Sequence, residues 1–242
     1  MALPSAASQP RIALLDASYT VDATRRNFRR EIDAKLVEFH CPSGELPSGF
    51  QYDGLVITGS SASVYWDSDW IDDLKQWVSD AVEEGLPALG VCYGHQLLAD
   101  VTGGYVENMG EYEIGYRTVE HTGGSTLFTD IPESMTVFTT HSDHVSALPP
   151  GGTVLAANEY GIQAFRKGRV HGVQFHPEYD QQMARRITKG KDDQLSASRI
   201  QQVLDGIHAA HYEAACKAKR LFDNFVGYVE SLSPERVPAT SL

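Results

Sequence analysis

Apolar residues follow two different spacings along the first hundred residues of the chain. Short apolar runs alternate there with stretches in which apolar residues recur every three or four positions. The runs predict buried β-strands over 11–18, 35–40, 52–59 and 87–92, and the helical spacing predicts helices through residue 32, over 70–84 and over 95–101. Because strands and helices alternate across short links, we expect a parallel sheet covered by helices on both faces.

The pattern changes after Gly104. Apolar stretches separated by turns predict short strands over 113–121, 135–139, 152–158, 161–166 and 169–175. From Asp180 the spacing is helical, and between 200 and 229 it predicts one long helix or two helices broken near Gly206. No internal repeat or low-complexity linker interrupts the chain. We therefore expect one α/β domain over 1–242, with an open, mostly parallel sheet, a core over about 11–180 and a helical extension over about 180–232.

Composition and charge exclude several classes of protein. The chain is 42% hydrophobic, enough for a core, and has 32 acidic against 20 basic residues, a net charge of −12. This charge disfavours binding to nucleic acid and to anionic lipid, and no apolar run approaches the roughly 20 residues of a membrane span. Residues 1–10 lack the charged start and apolar stretch of a secretory signal. Three cysteines are too few for a disulfide framework, so we expect a cytoplasmic protein.

Cys92 differs from the other two cysteines in its flanking sequence. It lies between a predicted strand and a predicted helix, with Gly90 and Gly94 two residues away on either side. This spacing describes a sharp strand-to-helix turn that exposes a nucleophile and leaves no room for larger flanking side chains. The turn also directs backbone N–H groups and the positive end of a helix at the reaction site, which favours a thiolate and stabilises an oxyanion. The alternative is a buried structural cysteine, our interpretation of Cys41 and Cys216.

A thiolate nucleophile requires a histidine, and the histidine requires an acceptor that orients it. His176 follows an apolar predicted strand, which brings it to the same edge of the sheet as Cys92. Pro177 stiffens the next step, and Glu178 lies two residues beyond the histidine. Because residues i and i+2 of an extended chain point the same way, the Glu178 carboxylate can hold the His176 imidazole.

The two motifs resemble the class I (triad) glutamine amidotransferase family. The matching segments read Gly-Val-Cys-Tyr-Gly-His-Gln over 90–96 and Gly-Val-Gln-Phe-His-Pro-Glu over 172–178. The resemblance covers about residues 11–180 and implies a flavodoxin-like class I amidotransferase fold. It also implies a catalytic triad of Cys92, His176 and Glu178 that cleaves the side-chain amide of glutamine, with no metal and no organic cofactor.

Further segments extend the resemblance and suggest the binding residues. The stretch 57–60 matches the family's oxyanion strand, and 137–143 resembles a Ser-His-Gly-Asp stretch in the amidotransferase part of GMP synthetases. The match implies an oxyanion hole made by the backbone N–H groups of Gly59 and Tyr93. It further implies that the α-amino and carboxylate ends of the substrate contact Gln96, His141 and Asp143.

The resemblance leaves the exact substrate open. Where the family commonly has Gly-Gly-Pro, this chain has Gly-Ser-Ser over 59–61, and the stretch 57–71 is closer to stand-alone members such as γ-glutamyl peptidase-like proteins. The chain has no Gly-rich pyrophosphate loop, so we expect no fused synthetase. Two functions remain open, a free-standing γ-glutamyl hydrolase and an ammonia-supplying partner of a separate synthetase, such as that of a split GMP synthetase. A homo-oligomer is compatible with either.

Two other classes of function compete with this interpretation. His141, Asp143 and His144 resemble half of a two-metal hydrolase motif, to which His171 and His176 can add ligands. The partner His-x-His pair of that motif is absent from the sequence. A non-catalytic binding subunit is the other alternative. Members of the superfamily that act in this way can lose the cysteine, whereas this chain retains it.

Overall fold

A nine-stranded sheet dominates the computed structural model, which describes residues 9–232. The strands are β1 (Arg11–Asp16), β2 (Lys35–His40), β3 (Gly54–Ile57), β4 (Ala88–Val91), β5 (Tyr105–His121), β6 (Ser134–Ala147), β7 (Thr153–Asn158), β8 (Gly161–Lys167) and β9 (Val170–Val173). The helices are α1 (Val21–Glu31), α2 (Asp69–Glu83), α3 (Tyr93–Val101), α4 (Gln181–Lys189), α5 (Ala197–Gly206), α6 (Ala209–Cys216) and α7 (Arg220–Leu232).

The strand order divides the sheet into a parallel and an antiparallel part. The order is β2-β1-β3-β4-β9-β8-β7-β5-β6. The first five strands of this order run parallel to one another, and the pairs from β9–β8 onward are antiparallel. The predicted α/β class with a mostly parallel sheet is therefore confirmed. Because β4 and β9 are parallel neighbours, the residues that follow them meet at one edge of the sheet.

Helices cover both faces of the parallel strands. On β1, Ile12 and Leu14 point into one core cluster, which α1 and α7 complete. Ala13 and Leu15 point into the opposite cluster, which α2 and α3 complete. The strands are buried on both sides, which explains why their sequences read as continuous apolar runs rather than as alternating patterns.

The helical extension packs on the same domain in two places. Helices α4 and α5 cover β5 and β6 around a third cluster that includes Phe138 and Val203. Helix α7 returns to the parallel part of the sheet, where it buries Phe222 and Phe225 beside Phe28 of α1. The helical stretch is broken at Gly206, as one alternative predicted, and again by a 3₁₀ turn over Lys217–Lys219.

Strands β5 and β6 are longer than the sequence predicts. Strand β5 begins at Tyr105 rather than at 113, and β6 continues to Ala147 rather than ending at 139. The extra part of β6 has no apolar alternation because most of its buried side chains, namely Thr140, His141 and Asp143, are polar. His141 and Asp143 are two of the residues that the resemblance places in the substrate site.

No helix within residues 9–232 is long and apolar enough to cross a membrane. The prediction that residues 1–10 carry no secretory signal falls mainly on residues 1–8, which lie outside the described part of the chain.

Candidate active site

Cys92 occupies a sharp turn between β4 and α3. Its backbone has φ 54° and ψ −102°, a conformation that is rare for any residue except glycine. A Cβ at Gly90 would lie 2.2 Å from the backbone of Gly94, and one at Gly94 would lie 2.4 Å from the carbonyl oxygen of Ile57. The turn therefore requires both glycines, as the sequence predicts.

His176 and Glu178 lie beside this turn, just beyond the carboxyl end of β9. The Nδ1 atom of His176 is 2.8 Å from Oε1 of Glu178, and both side chains are buried. Because the Glu178 carboxylate accepts a hydrogen bond from Nδ1, this nitrogen carries the proton when the His176 imidazole is neutral. The Nε2 atom is buried and has no hydrogen-bond partner within residues 9–232, although His176 lines the cavity at Cys92.

Gly59 shows how close the imidazole is to Cys92. A Cβ built at Gly59 would lie 2.8 Å from Cε1 of His176 and 3.6 Å from Cβ of Cys92. The two side chains thus lie within 4 Å of one point, and only a glycine fits between them. The structure brings together the three residues of the expected triad and the glycine of the expected oxyanion hole.

The environment of His176 favours its protonated form. Burial opposes the charge, but the adjacent Glu178 and Cys92 outweigh burial and raise the pKa of His176 to about 10. Tyr93, which follows Cys92, begins α3, so its backbone N–H is one of the first amides of the helix and has no acceptor within it. The positive end of α3 therefore points toward the cysteine.

Gln96, His141 and Asp143 form a buried network next to the cysteine. The side-chain amide of Gln96 donates to the backbone carbonyl of Asp143 at 2.8 Å. Nδ1 of His141 lies 3.0 Å from the same carbonyl, and its Nε2 lies 2.7 Å from Oε2 of Glu113. The structure therefore brings the three expected binding residues together, but both ring nitrogens of His141 already have partners inside the protein.

The carboxylate of Asp143 accepts three hydrogen bonds. Ser63 donates at 2.5 Å, Tyr65 at 3.0 Å and Asn108 at 3.1 Å. These donors hold the Asp143 carboxylate at the wall of the cavity, where it can bind a cation such as a substrate ammonium group.

One cavity of about 310 Å³ connects these groups. Cys92 and His176 lie in its wall, with Asp143 nearby and the half-exposed Trp66 at its rim. Its other lining residues include Tyr112, Tyr179, Met183, Ile187 and Lys191, of which the last three come from α4 and the loop after it.

The residues of the metallohydrolase alternative do not form a metal site in the described structure. His171 packs edge-to-face against Tyr228 of α7, and burial lowers its pKa to about 4. Within residues 9–232, no group of three or more His, Cys, Asp or Glu side chains is arranged to hold a metal ion. Of the other cysteines, Cys41 is buried, and this burial raises the pKa of its thiol well above the ordinary value.

A family model described as glutamine amidotransferase class-I matches residues 13–188, which is most of the chain. The chain belongs to this family of enzymes. The resemblance stated from the sequence is confirmed. The match ends one residue before the end of α4, so the α4–α5 loop and the three helices that follow lie beyond it.

Relatives of this amidotransferase-family chain include glutamine-hydrolyzing GMP synthases. The protein from Streptomyces avermitilis is 34% identical over 182 residues, which are 72% of this chain and 33% of the relative. The protein from Vibrio vulnificus is 33% identical over 173 residues, which are 69% of this chain and 32% of the relative. The chain thus spans about a third of the length of these curated relatives.

Solved structures with the same fold include other amidotransferases. A glutamine amidotransferase from Thermotoga maritima aligns with a TM-score of 0.77 and 23% identity, covering 91% of this chain and 99% of that one. A glutamine amidotransferase from Methylobacillus flagellatus aligns with a TM-score of 0.75 and 20% identity, covering 91% of this chain and 95% of that one. At this identity the two structures support the fold of the amidotransferase domain.

Several residues of this amidotransferase site are not evident from its motifs. Gln174 donates its amide to Sγ of Cys92 at 3.7 Å and accepts from Gln96 at 3.2 Å. Its position two residues before His176, as a polar residue in an apolar strand, is the signal that could have indicated it. Glu113 and Tyr179 carry no such signal because their contacts depend on how distant segments pair.

Proposed function

We propose that this protein hydrolyses the γ-amide of glutamine, or another γ-glutamyl amide bond, through a thioester on Cys92. One observation carries the proposal: Cys92, on a strained turn, and the Glu178-bonded His176 both lie within 4 Å of the site where a Gly59 Cβ would stand. A strained nucleophile beside an oriented imidazole is the arrangement required for acyl transfer.

The first half-reaction forms the thioester. Sγ of Cys92 attacks the γ-carbonyl carbon, and the carbonyl electron pair moves to oxygen. The backbone N–H groups of Gly59 and Tyr93 donate to this oxyanion, a contribution typically worth about 10²–10³ in rate for each donor. His176 gives its Nε2 proton to the leaving nitrogen, the C–N bond breaks, and ammonia or an amine departs.

The second half-reaction releases glutamate. The neutral His176 takes a proton from water through Nε2, and the resulting hydroxide attacks the thioester carbon. The C–S bond then breaks, and glutamate leaves with the thiolate restored beside the imidazolium. Glu178 holds Nδ1–H throughout, so that Nε2 always faces the reacting atoms.

The network beside Cys92 supplies the proposed binding site for the α-carbon end of the substrate. The Asp143 carboxylate provides the negative charge that an α-ammonium group requires. Gln96 lies between Asp143 and Gln174 and bonds to both, so it ties this end of the site to the nucleophile. Because the ring nitrogens of His141 already have partners, we assign its side chain to positioning Asp143.

Two forms of this activity have separate support. The GMP synthase relatives, three times longer than the aligned segment, favour a domain that supplies ammonia to a separate synthetase. The size of the cavity and the side chains from α4 favour a free-standing hydrolase of larger γ-glutamyl compounds. An ammonia supplier is expected to be nearly idle without its partner, whereas a hydrolase works alone.

Turnover by the purified protein tests the proposal and separates the two forms. Wild type and Cys92→Ala are assayed on glutamine and on γ-glutamyl dipeptides, with and without extract from the source cells. Cys92-dependent hydrolysis of dipeptides by the protein alone indicates the hydrolase. Cys92-dependent glutaminase activity that needs the extract indicates the supplier. Equal activity in wild type and Cys92→Ala contradicts the mechanism.

A further inference from the structure

The cavity at Cys92 is larger than glutamine needs. Its volume of about 310 Å³ accommodates roughly ten water molecules, at about 30 Å³ for each. Glutamine has the same number of non-hydrogen atoms, but bonded atoms lie closer together than neighbouring waters do. Glutamine therefore fills only part of the cavity, and the remainder can hold a group attached to the γ-nitrogen.

The mechanism requires the leaving group to lie in the part of the cavity next to His176. The leaving nitrogen must lie next to Nε2 of His176, which donates its proton. Tyr179, whose ring is stacked on His176, lines the cavity together with Met183 and Ile187 of α4. These side chains form an apolar wall of the cavity, opposite in chemistry to the acidic end at Asp143.

Lys191 adds a positive charge to this wall. It lies in the loop between α4 and α5 and lines the cavity, with Nζ 5.1 Å from the ring centre of Tyr112. The Tyr112 hydroxyl is 3.3 Å from the hydroxyl of Thr140, whose backbone carbonyl is 3.9 Å from Sγ of Cys92. Lys191 is thus connected to the nucleophile through two contacting residues.

The charge on Lys191 is available to a ligand. Among residues 9–232, no carboxylate lies within 4.0 Å of its Nζ, although Asp192 and Asp193 follow it in the chain. No other lysine or arginine of the described chain lines this cavity. Lys191 also lies beyond residue 188, where the match to the family model ends.

We propose that Lys191 binds a carboxylate in the leaving group of the substrate, so that the site selects γ-glutamyl compounds whose amine portion is an amino acid or a peptide. The inference rests on the proposed function and refines its substrate class. The Tyr179, Met183 and Ile187 wall contacts the body of the leaving group, while Lys191 pairs with its carboxylate. Glutamine itself lacks such a group and leaves Lys191 unused.

Binding tests the subsite independently of turnover. The probes are γ-glutamylglycine and γ-glutamylethylamide, in which a methyl group replaces the glycine carboxylate. Calorimetry is carried out on Cys92→Ala, which cannot consume either ligand. We expect the glycine compound to bind about ten- to a hundredfold more tightly, since a charge-assisted hydrogen bond distinguishes the two.

The variants at Lys191 decide the assignment. Adding Lys191→Gln to Cys92→Ala is expected to abolish the preference, and Lys191→Arg is expected to retain it. Lys189→Gln removes the same charge from the exposed end of α4 outside the cavity and is the matched control, which should leave the preference intact. An equal preference in Lys191→Gln, an equal loss of affinity for both probes, or no binding of either probe overturns the proposal.

Turnover of the same two probes by the wild-type protein separates the proposed hydrolytic function from the proposed Lys191 subsite. Lys191-dependent binding without Cys92-dependent hydrolysis contradicts the proposed function and leaves the subsite standing. Hydrolysis of both probes with the same kcat/KM ratio in wild type and Lys191→Gln contradicts the subsite and leaves the proposed function standing.

Discussion

The rings of His176 and Tyr179 are stacked, with their centroids 4.1 Å apart and their planes inclined by 19°. The stacking holds the plane of the imidazole, and the hydrogen bond from Nδ1 to Glu178 fixes the rotation of the ring within that plane. Arg30 of α1 reinforces the segment, since its guanidinium donates to the backbone carbonyl of Glu178 at 2.6 Å and to Asp180 at 3.0 Å. The histidine is therefore oriented by two contacts within its own segment, and Arg30 of α1 holds that segment in place.

Removing the stacked ring should misplace the imidazole. We expect Tyr179→Leu to lower kcat by about ten- to a hundredfold, because small displacements of a catalytic group cost rates of this order. Tyr179→Phe keeps the ring and should retain most of the activity, since the structure assigns the effect to stacking. Steady-state kinetics on glutamine checks both variants. A loss in Tyr179→Phe as large as in Tyr179→Leu would assign the effect to the hydroxyl group instead.

Glu178→Gln should change both the rate and its pH dependence. The pKa of His176 is raised above its ordinary value, so in wild type the imidazole keeps its proton through neutral pH and loses it only in alkaline solution. The amide no longer stabilises the imidazolium, so the alkaline limb of the kcat/KM profile should move to lower pH. We expect kcat to fall by up to about 10⁴, as for the carboxylate of other nucleophile–histidine triads. An unchanged alkaline limb would show that Glu178 does not act on His176.

Alanine at Gly94 should destabilise the fold. Its Cβ would lie 2.4 Å from a backbone oxygen of β3, so the strand or helix α3 must shift. We expect the free energy of unfolding to fall by about 3 kcal/mol or more, the upper range for overpacking. Gly227→Ala is the matched control, because Gly227 lies on the exposed side of α7 with open space around it and should gain about 0.5–1 kcal/mol. Chemical denaturation measures both changes.

Glu113→Gln tests the network behind the expected binding residues. The fully buried Glu113 carboxylate accepts from Asn158 at 2.7 Å and from Gln163 at 2.9 Å, in addition to its contact with His141. An amide nitrogen at one of these positions faces a donor, so we expect a loss of about 1–3 kcal/mol in unfolding free energy. The KM for glutamine should also rise because His141 positions Asp143.

The exposed Glu111→Gln serves as the control for charge removal in the same strand. It should change neither the unfolding free energy nor KM. If Glu113→Gln lowers stability without affecting KM, the network supports the fold alone.

The features that could be predicted are those that depend on residues close together in the sequence. The glycines around Cys92 and the two-residue spacing of His176 and Glu178 state backbone requirements that need no knowledge of distant contacts. The apolar runs of the parallel strands likewise predict the sheet, because those strands are buried on both faces. The catalytic roles of these residues remain predictions.

The less predictable part depends on pairing between distant segments. Glu113 meets His141 because β5 and β6 pair in a register that places these residues opposite each other. The polar end of β6 does not read as a strand because its buried side chains are satisfied by hydrogen bonds rather than by apolar packing. Helix α7 is a similar case: its apolar residues indicate a buried face, but not that this face lies beside α1 on the parallel sheet.

Covalent labelling determines whether Cys92 is the nucleophile. The wild-type protein is incubated with a diazoketone analogue of glutamine, digested and examined by mass spectrometry. We predict one adduct per chain, on the peptide that contains Cys92, with no adduct on Cys41 or Cys216, and protection by excess glutamine. Activity should be lost in proportion to labelling, and Cys92→Ala should remain unlabelled. An unmodified Cys92 in protein that still hydrolyses glutamine, or loss of activity in proportion to labelling of a different residue, would contradict the assignment of Cys92 as the nucleophile.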